Sequence, residues 1–446
     1  MNSLYLIIIL SLVPLLIIAY YSKDLPFFIP GFSTDNEKIL TAASKIKIFD
    51  WPSKMHTIEN IGEQARCHSR EYWAIMCSIF QKIFKNAKND YITLLIGLVS
   101  NFFCTILIYF IFANYFNQGI GLIASLIYLT SFWTYHIVLF IGHVILSQMF
   151  FLLAILFIQT SNDQTLNLQL ILLFFAGSLT FISFQSSSAS IKFPPMIIIA
   201  FLYAIKNEFS FVIGFFEYDT FLILIILFFS ISIVYSFKHR KDQPFFKKLT
   251  IFLIVFNFLF FIILSLISIS PTGLLKISSF LLGFILIFFH ITLPIKTFSR
   301  NVNRLIVWRN NNVFVNHFIP FTRLPIEDQK KIFTKPLPSN FTGGDLFWNL
   351  KVYNIFMPFI FPVYIVSVIL FLVLSIYDLI IFQNLELLKN FIFLFFVSLI
   401  PTLVHEITLG LKVAKAYFAT LISFLFFIFA FMFNLEKSSL SLVTNY

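Results

Sequence analysis

Residues 91–113 read YITLLIGLVSNFFCTILIYFIFA, a run with no charged side chain. As a helix it would be about 35 Å long, more than the roughly 30 Å of a bilayer's hydrocarbon core. Backbone groups in lipid must be satisfied within their own segment, so the run reads as a transmembrane helix. It lacks the weaker alternating pattern of a barrel strand. Comparable runs occur near 4–20, 119–135, 138–159, 168–184, 190–205, 220–237, 250–269, 274–294, 355–376, 391–409 and 413–434. The fold class expected is therefore an all-α polytopic membrane protein with about twelve transmembrane helices.

Composition points the same way. Hydrophobic residues make up 59% of the 446 positions, charged residues 11%, and phenylalanine alone fills 64. A mean hydropathy of +0.91 excludes an ordinary soluble domain. The run at 4–20 is short enough to resemble a signal peptide. No basic residue precedes it and no clean cleavage pattern follows, so it reads as a first membrane anchor.

Three polar regions interrupt the apolar runs: 22–90, 237–249 and 296–353. The net charge of +11 sits mostly in the last two. Lys238, Arg240, Lys241, Lys247 and Lys248 face only Asp242, and nine Lys/Arg in 296–351 face Glu327, Asp328 and Asp345. This is the pattern of cytoplasmic loops, and no nucleic-acid partner is expected. Seven spans counted from a cytoplasmic N-terminus would put both loops outside. Either one span between 119 and 219 is miscounted, as a re-entrant or broken helix, with Phe184–Pro195, rich in serine and ending in Pro194-Pro195, as the suspect, or the charge rule fails here. The polar regions divide the chain into 1–220, carrying the 22–90 loop, and 221–446, carrying the 296–353 loop. Cys67, Cys77 and Cys104 form no metal cluster; Cys67 and Cys77 share one polar segment, which would permit a bridge.

The segment 22–90 holds the first candidates for chemistry. Ser33-Thr34-Asp35-Asn36-Glu37 opens it, and Thr34 and Glu37 have the spacing of a helix capping box. Asp35 and Glu37 also suit a general base or a divalent-ion ligand at the membrane surface. A second helix is expected over 59–85. Its apolar positions Tyr72, Ile75, Met76, Ile79, Phe80 and Ile83 recur at helical spacing, as in an interfacial helix. Arg66, His68 and Arg70 precede them, and arginine suits bidentate contact with phosphate. His136 and His143 share a helix face and are expected at the interface. Lys192 reads as a snorkelling cation or a phosphate contact. Residues 401–417 add His405, Glu406, Lys412 and Lys415 amid apolar sequence. On one helix, His405, Thr408, Lys412 and Lys415 would share a face.

The layout from Asp35 to Lys192 resembles the polyprenyl-phosphate-dependent glycosyltransferases of the GT-C class, the protein O-mannosyltransferase-like group. The resemblance rests on a first span, the acidic surface segment Thr34–Ile46, the amphipathic Arg70-Glu71-Tyr72-Trp73, then a span, a short loop and an apolar hairpin, with Asn114–Leu126 similar to the family's loop and third span. The serine-rich Ser183–Pro195 with Lys192 looks like the family's later small-residue-plus-lysine segment. Asn36 separates the acids, and Ser147-Gln148 stand where a second acid is sought. The resemblance implies that 22–90 is extracytoplasmic and that 1–220 is the catalytic membrane module. Asp35, with Glu37, would be the catalytic carboxylate. Arg66, Arg70, Lys192, Lys412 and Lys415 are candidates for holding the lipid phosphate. The implied activity moves a sugar from a polyprenyl-phosphate donor to a hydroxyl on glycan, lipid or protein, in a bacterial plasma (inner) membrane. No cofactor is required by this reading, although a divalent metal ion is compatible with it; no metal-ligand set is assigned. Two alternatives remain: a membrane-bound O-acyltransferase using His405 with Glu406, and a lipid or solute transporter.

Overall fold

The computed structural model describes residues 3–22, 43–44, 71–87, 89–131, 134, 142–186, 193–209, 269–292, 357–383, 385–409 and 413–444. The expected spans at 220–237 and 250–269 lie outside the described residues. Among those described, all regular elements are helical, apart from one isolated bridge between Phe209 and Ile269. They are α1 (Ser3–Ser22), α2 (Glu71–Ile83), α3 (Asn89–Tyr115), α4 (Gln118–Thr130), α5 (Gly142–Ser161), α6 (Leu166–Ser186), α7 (Phe193–Ala204), α8 (Pro271–Thr292), α9 (Ile360–Phe382), α10 (Glu386–Leu409) and α11 (Val413–Thr444), with a 3-10 turn at Lys206–Glu208.

Five of these helices contain a stretch long and apolar enough to cross a membrane: Ser3–Tyr21, Tyr91–Tyr115, Gly142–Ser161, Leu166–Phe184 and Ile360–Phe382. Their outward faces are apolar. Tyr5, Leu16 and Ile17 of α1 are more than half exposed, as are Val366, Ile369 and Val373 of α9. Surfaces of this kind are stable only against lipid, and the chain is a multi-pass membrane protein. α4 has 13 residues and α7 has 12. At about 20 Å or less, neither helix crosses a bilayer core by itself. Both lie in or at the edge of the 119–219 interval where a miscounted span was one of the two expected explanations of the charge pattern.

The chain forms two compact units, Met1–Ile197 with Leu275–Asn312, and Ile198–Leu274 with Val313–Tyr446. The first is built around α3. Of its most apolar stretch 72% is buried, against 11% for α1. α3 packs on α1, α2, α4 and α5, and α5 packs on α6. Helix association in lipid has little hydrophobic drive, so small residues and interhelical hydrogen bonds carry it. A methyl group on Gly121 would stand 2.7 Å from the Tyr109 carbonyl oxygen, which explains how α4 lies so close to α3. A methyl on Gly177 of α6 would land on the Phe280 carbonyl of α8, and one on Gly283 of α8 on the Phe174 carbonyl of α6. Ser178 Oγ donates to the Gly283 carbonyl at 3.2 Å and Ser279 Oγ to the Leu170 carbonyl at 2.6 Å, closing this crossing.

In the second unit α9, α10 and α11 pack on one another through aromatic rings. Tyr364 stacks on Phe424 with centroids 3.9 Å apart. Phe371 meets Phe391, Phe427 and Phe431 within 6 Å. α9 ends at Gln383 in a left-handed conformation, φ 54°, whose N–H donates to the Asp378 carbonyl. The same unit holds Glu208, whose carboxylate accepts from the Ser270 and Thr272 hydroxyls at the start of α8.

Candidate functional site

Several helix ends of the first unit share one level. Tyr91, at the start of α3, donates its hydroxyl to the Ala19 carbonyl near the end of α1. Trp73, Ala74 and Cys77 of α2 form one apolar cluster with Ala43, Ile92 and Ile96 of α3 and Leu146 of α5. Ser147 Oγ, one turn into α5, donates to the Ser183 carbonyl near the end of α6 at 2.6 Å. Phe193, at the start of α7, stacks on Phe151 of α5 at 4.6 Å. The end of α1, the start of α2 and the end of α6 thus meet the starts of α3 and α5, whereas α7 begins against the middle of α5.

α2 is strongly amphipathic. The expected helix over 59–85 is described from Glu71 to Ile83. Its buried side consists of Trp73, Ala74, Cys77 and Ser78, all at 1% exposure or less. Tyr72, Ile75, Met76, Ile79 and Phe80 are only partly covered, and Ile83 is 64% exposed. The apolar stripe visible in the sequence is therefore only partly covered, with Met76 and Phe80 against the core cluster, while Trp73, Ala74, Cys77 and Ser78 are the buried side. The reason is the solvent: in lipid, shape fit and not apolar character selects the packed side. Cys77 is a free thiol, so no Cys67–Cys77 bridge forms. Burial pushes its pKa above the ordinary thiol range, which keeps it protonated and unreactive.

Beside α2 lies a pocket of about 300 Å³, lined by Ser44, Ser78, Gln81, Lys82 and Lys85 together with Ala43, Phe84, Ala87 and Ile92. Ser78, Gln81, Lys82 and Lys85 recur at i, i+3, i+4 and i+7, a helical face with hydroxyl, amide and ammonium donors.

A second polar feature runs through the interior. Tyr128 Oη donates to Asn101 Oδ1 at 3.0 Å, and Gln148 Nε2 donates to Tyr128 Oη at 3.2 Å, joining α3, α4 and α5. Ser125 Oγ lies within hydrogen-bond reach of the Thr105 and Gly121 carbonyls. Gln148 Oε1 is buried with no hydrogen-bond partner among the described residues. His143 is 4% exposed, edge-on to Trp73 at 5.8 Å between ring centroids. It is therefore packed against protein, in the first turn of α5. Ser147 and Gln148, at the position where a second acid was sought, are fully buried and serve as helix-to-helix links. The seam was missed in the sequence because its members are single neutral residues spread over four helices.

Asp35, Glu37, Arg66, Arg70, Lys192 and Lys412 lie outside the described residues, as do His68, His136 and the Thr34 capping box. His405 and Glu406 fall in the last turn of α10 and Lys415 in the first turn of α11, two separate elements. Their side chains lie outside the described set. Among the described residues no group of three His, Cys, Asp or Glu could hold a metal ion. No family model matches the chain, nor does any curated protein or solved structure.

Proposed function

We propose that the chain is an integral membrane glycosyltransferase that moves a sugar from a polyprenyl-phosphate donor to a hydroxyl acceptor on glycan, lipid or protein. One observation supports this reading above others. The end of α1, the start of α2 and the end of α6 meet the starts of α3 and α5, and the adjoining segments 23–70 and 187–192 carry Asp35, Glu37, Arg66, Arg70 and Lys192. The acid and the cations thus belong to sequence segments that adjoin these helix ends, beside an amphipathic helix. The setting is a bacterial plasma (inner) membrane with 22–90 on the extracytoplasmic side. Residues 1–220 form the catalytic module under this reading.

In the proposed step the acceptor oxygen bonds to the anomeric carbon of the donor. Its proton passes to the Asp35 carboxylate, and the bond from the anomeric carbon to the phosphate oxygen breaks, releasing polyprenyl phosphate. Arg66, Arg70 or Lys192 would stabilise the charge growing on that phosphate. The test uses membranes carrying the wild type, Asp35→Asn and His405→Ala, supplied with radiolabelled polyprenyl-phosphate sugars. Transfer should fall about 100-fold or more in Asp35→Asn alone, the usual worth of a general base. Unchanged transfer in Asp35→Asn would overturn the assignment. Acyl transfer abolished in His405→Ala would replace it with the O-acyltransferase reading.

A further inference from the structure

We infer that the pocket beside α2 binds the phosphate headgroup of an anionic membrane lipid. Four features converge on this ligand. The pocket, about 300 Å³, is at the small end for ligand sites and suits a headgroup better than a whole lipid. Lys82 and Lys85 supply two positive charges, and Ser44, Ser78 and Gln81 supply neutral hydrogen-bond donors. Among the described residues, none of those lining the pocket is acidic. The outward apolar residues of the same helix, above all Ile83 and Phe84 at 64% and 42% exposure, border the pocket and offer acyl chains a surface. An in-plane helix with its apolar face in the acyl boundary holds its cations at headgroup level.

Lysines at the end of a helix also complement its dipole, and that role needs no cavity. Here the cations line a polar recess with hydroxyl and amide groups from α2 and Ser44, an arrangement that dipole complementation leaves unexplained. The site stands whether or not the chain transfers sugars, since it involves neither Asp35 nor any other group assigned to that chemistry.

The test is lipid retention by the full chain purified in detergent, read by native mass spectrometry with added phosphatidic acid or phosphatidylcholine. The wild type should retain phosphatidic acid selectively. Preference should fall roughly fivefold for Lys82→Gln or Lys85→Gln and about 25-fold for the double variant, from about 1 kcal/mol per lysine at an anionic surface. Lys82→Arg with Lys85→Arg should keep the preference, and Lys389→Gln, in the other unit, should leave it unchanged. A melting temperature for the double variant equal to that of the wild type without lipid confirms that the fold is intact. If the double variant keeps the full preference, the site is elsewhere and the inference fails. Displacement of the lipid by millimolar inorganic phosphate, with equal retention of the two lipids, would overturn the lipid assignment in favour of a free-phosphate site.

Discussion

The α3-centred bundle and the α9–α11 group hold helices together in a solvent as apolar as their own side chains, but by opposite means. The first uses what is absent and what is polar: glycines at backbone crossings and hydrogen bonds between helices. The second uses bulk, with phenylalanines filling the space between axes. The consequence shows in burial. In the first unit the apolar stretch of α3 is 72% buried, whereas that of α9 is 17% buried. The enclosed α3 lies in an interior where a tyrosine, an asparagine and a glutamine meet; in the α9–α11 group α11 is the enclosed helix, and the buried polar groups are mostly hydroxyls, such as the Tyr364–Ser398 pair.

Three experiments would break or sharpen this contrast, each read as the melting of the full chain in detergent. Phe371→Ala should destabilise most, by ~3–5 kcal/mol, because it empties a site where three rings converge. A loss below ~1 kcal/mol would mean that the rings of the α9–α11 group are not what holds it. Gly177→Ala should cost ~1–3 kcal/mol by overpacking, since its methyl would meet a backbone carbonyl that cannot swing aside. Gly119→Ala, where the nearest atom is the side-chain Oδ1 of Asn117 at 3.2 Å, should be close to neutral. Equal effects would remove the argument for a glycine crossing. The smallest effects separate the two hydroxyls. Tyr128→Phe removes a link between Asn101 and Gln148 and should cost ~1–2 kcal/mol by stranding buried polar groups. Tyr364→Phe removes one contact with Ser398 while keeping its stack on Phe424, and should cost ~0.6 kcal/mol. The reverse order would place the important polar interior in the α9–α11 group.

Much of the helix pattern was legible before any coordinates. Residues 91–113 lie within α3, 168–184 within α6, and 138–159 overlaps α5. Helices of 13 and 12 residues lie in or at the edge of 119–219, and the suspected break at 187–192 lies outside the described residues. The candidate site was less legible. The apolar stripe of α2 was legible as that of an interfacial helix, but not that Trp73, Ala74, Cys77 and Ser78 would be its buried side. Lys82, Lys85, Ser78 and Gln81 drew no notice because each is ordinary for an interfacial helix. Their meaning comes from the recess that Ser44 and Ile92 complete.

The sequence by itself determined that this chain crosses a membrane repeatedly as helices, because apolar length and backbone satisfaction are properties of one segment and its solvent. It also marked the amphipathic helix and the short segments. Only the tertiary structure decided which side of α2 packs, which glycines are crossings and which uncharged residues meet as a buried seam. Those outcomes depend on contacts between segments far apart in the chain. In lipid such contacts are chosen by shape and by hydrogen-bond geometry, and hydropathy records neither.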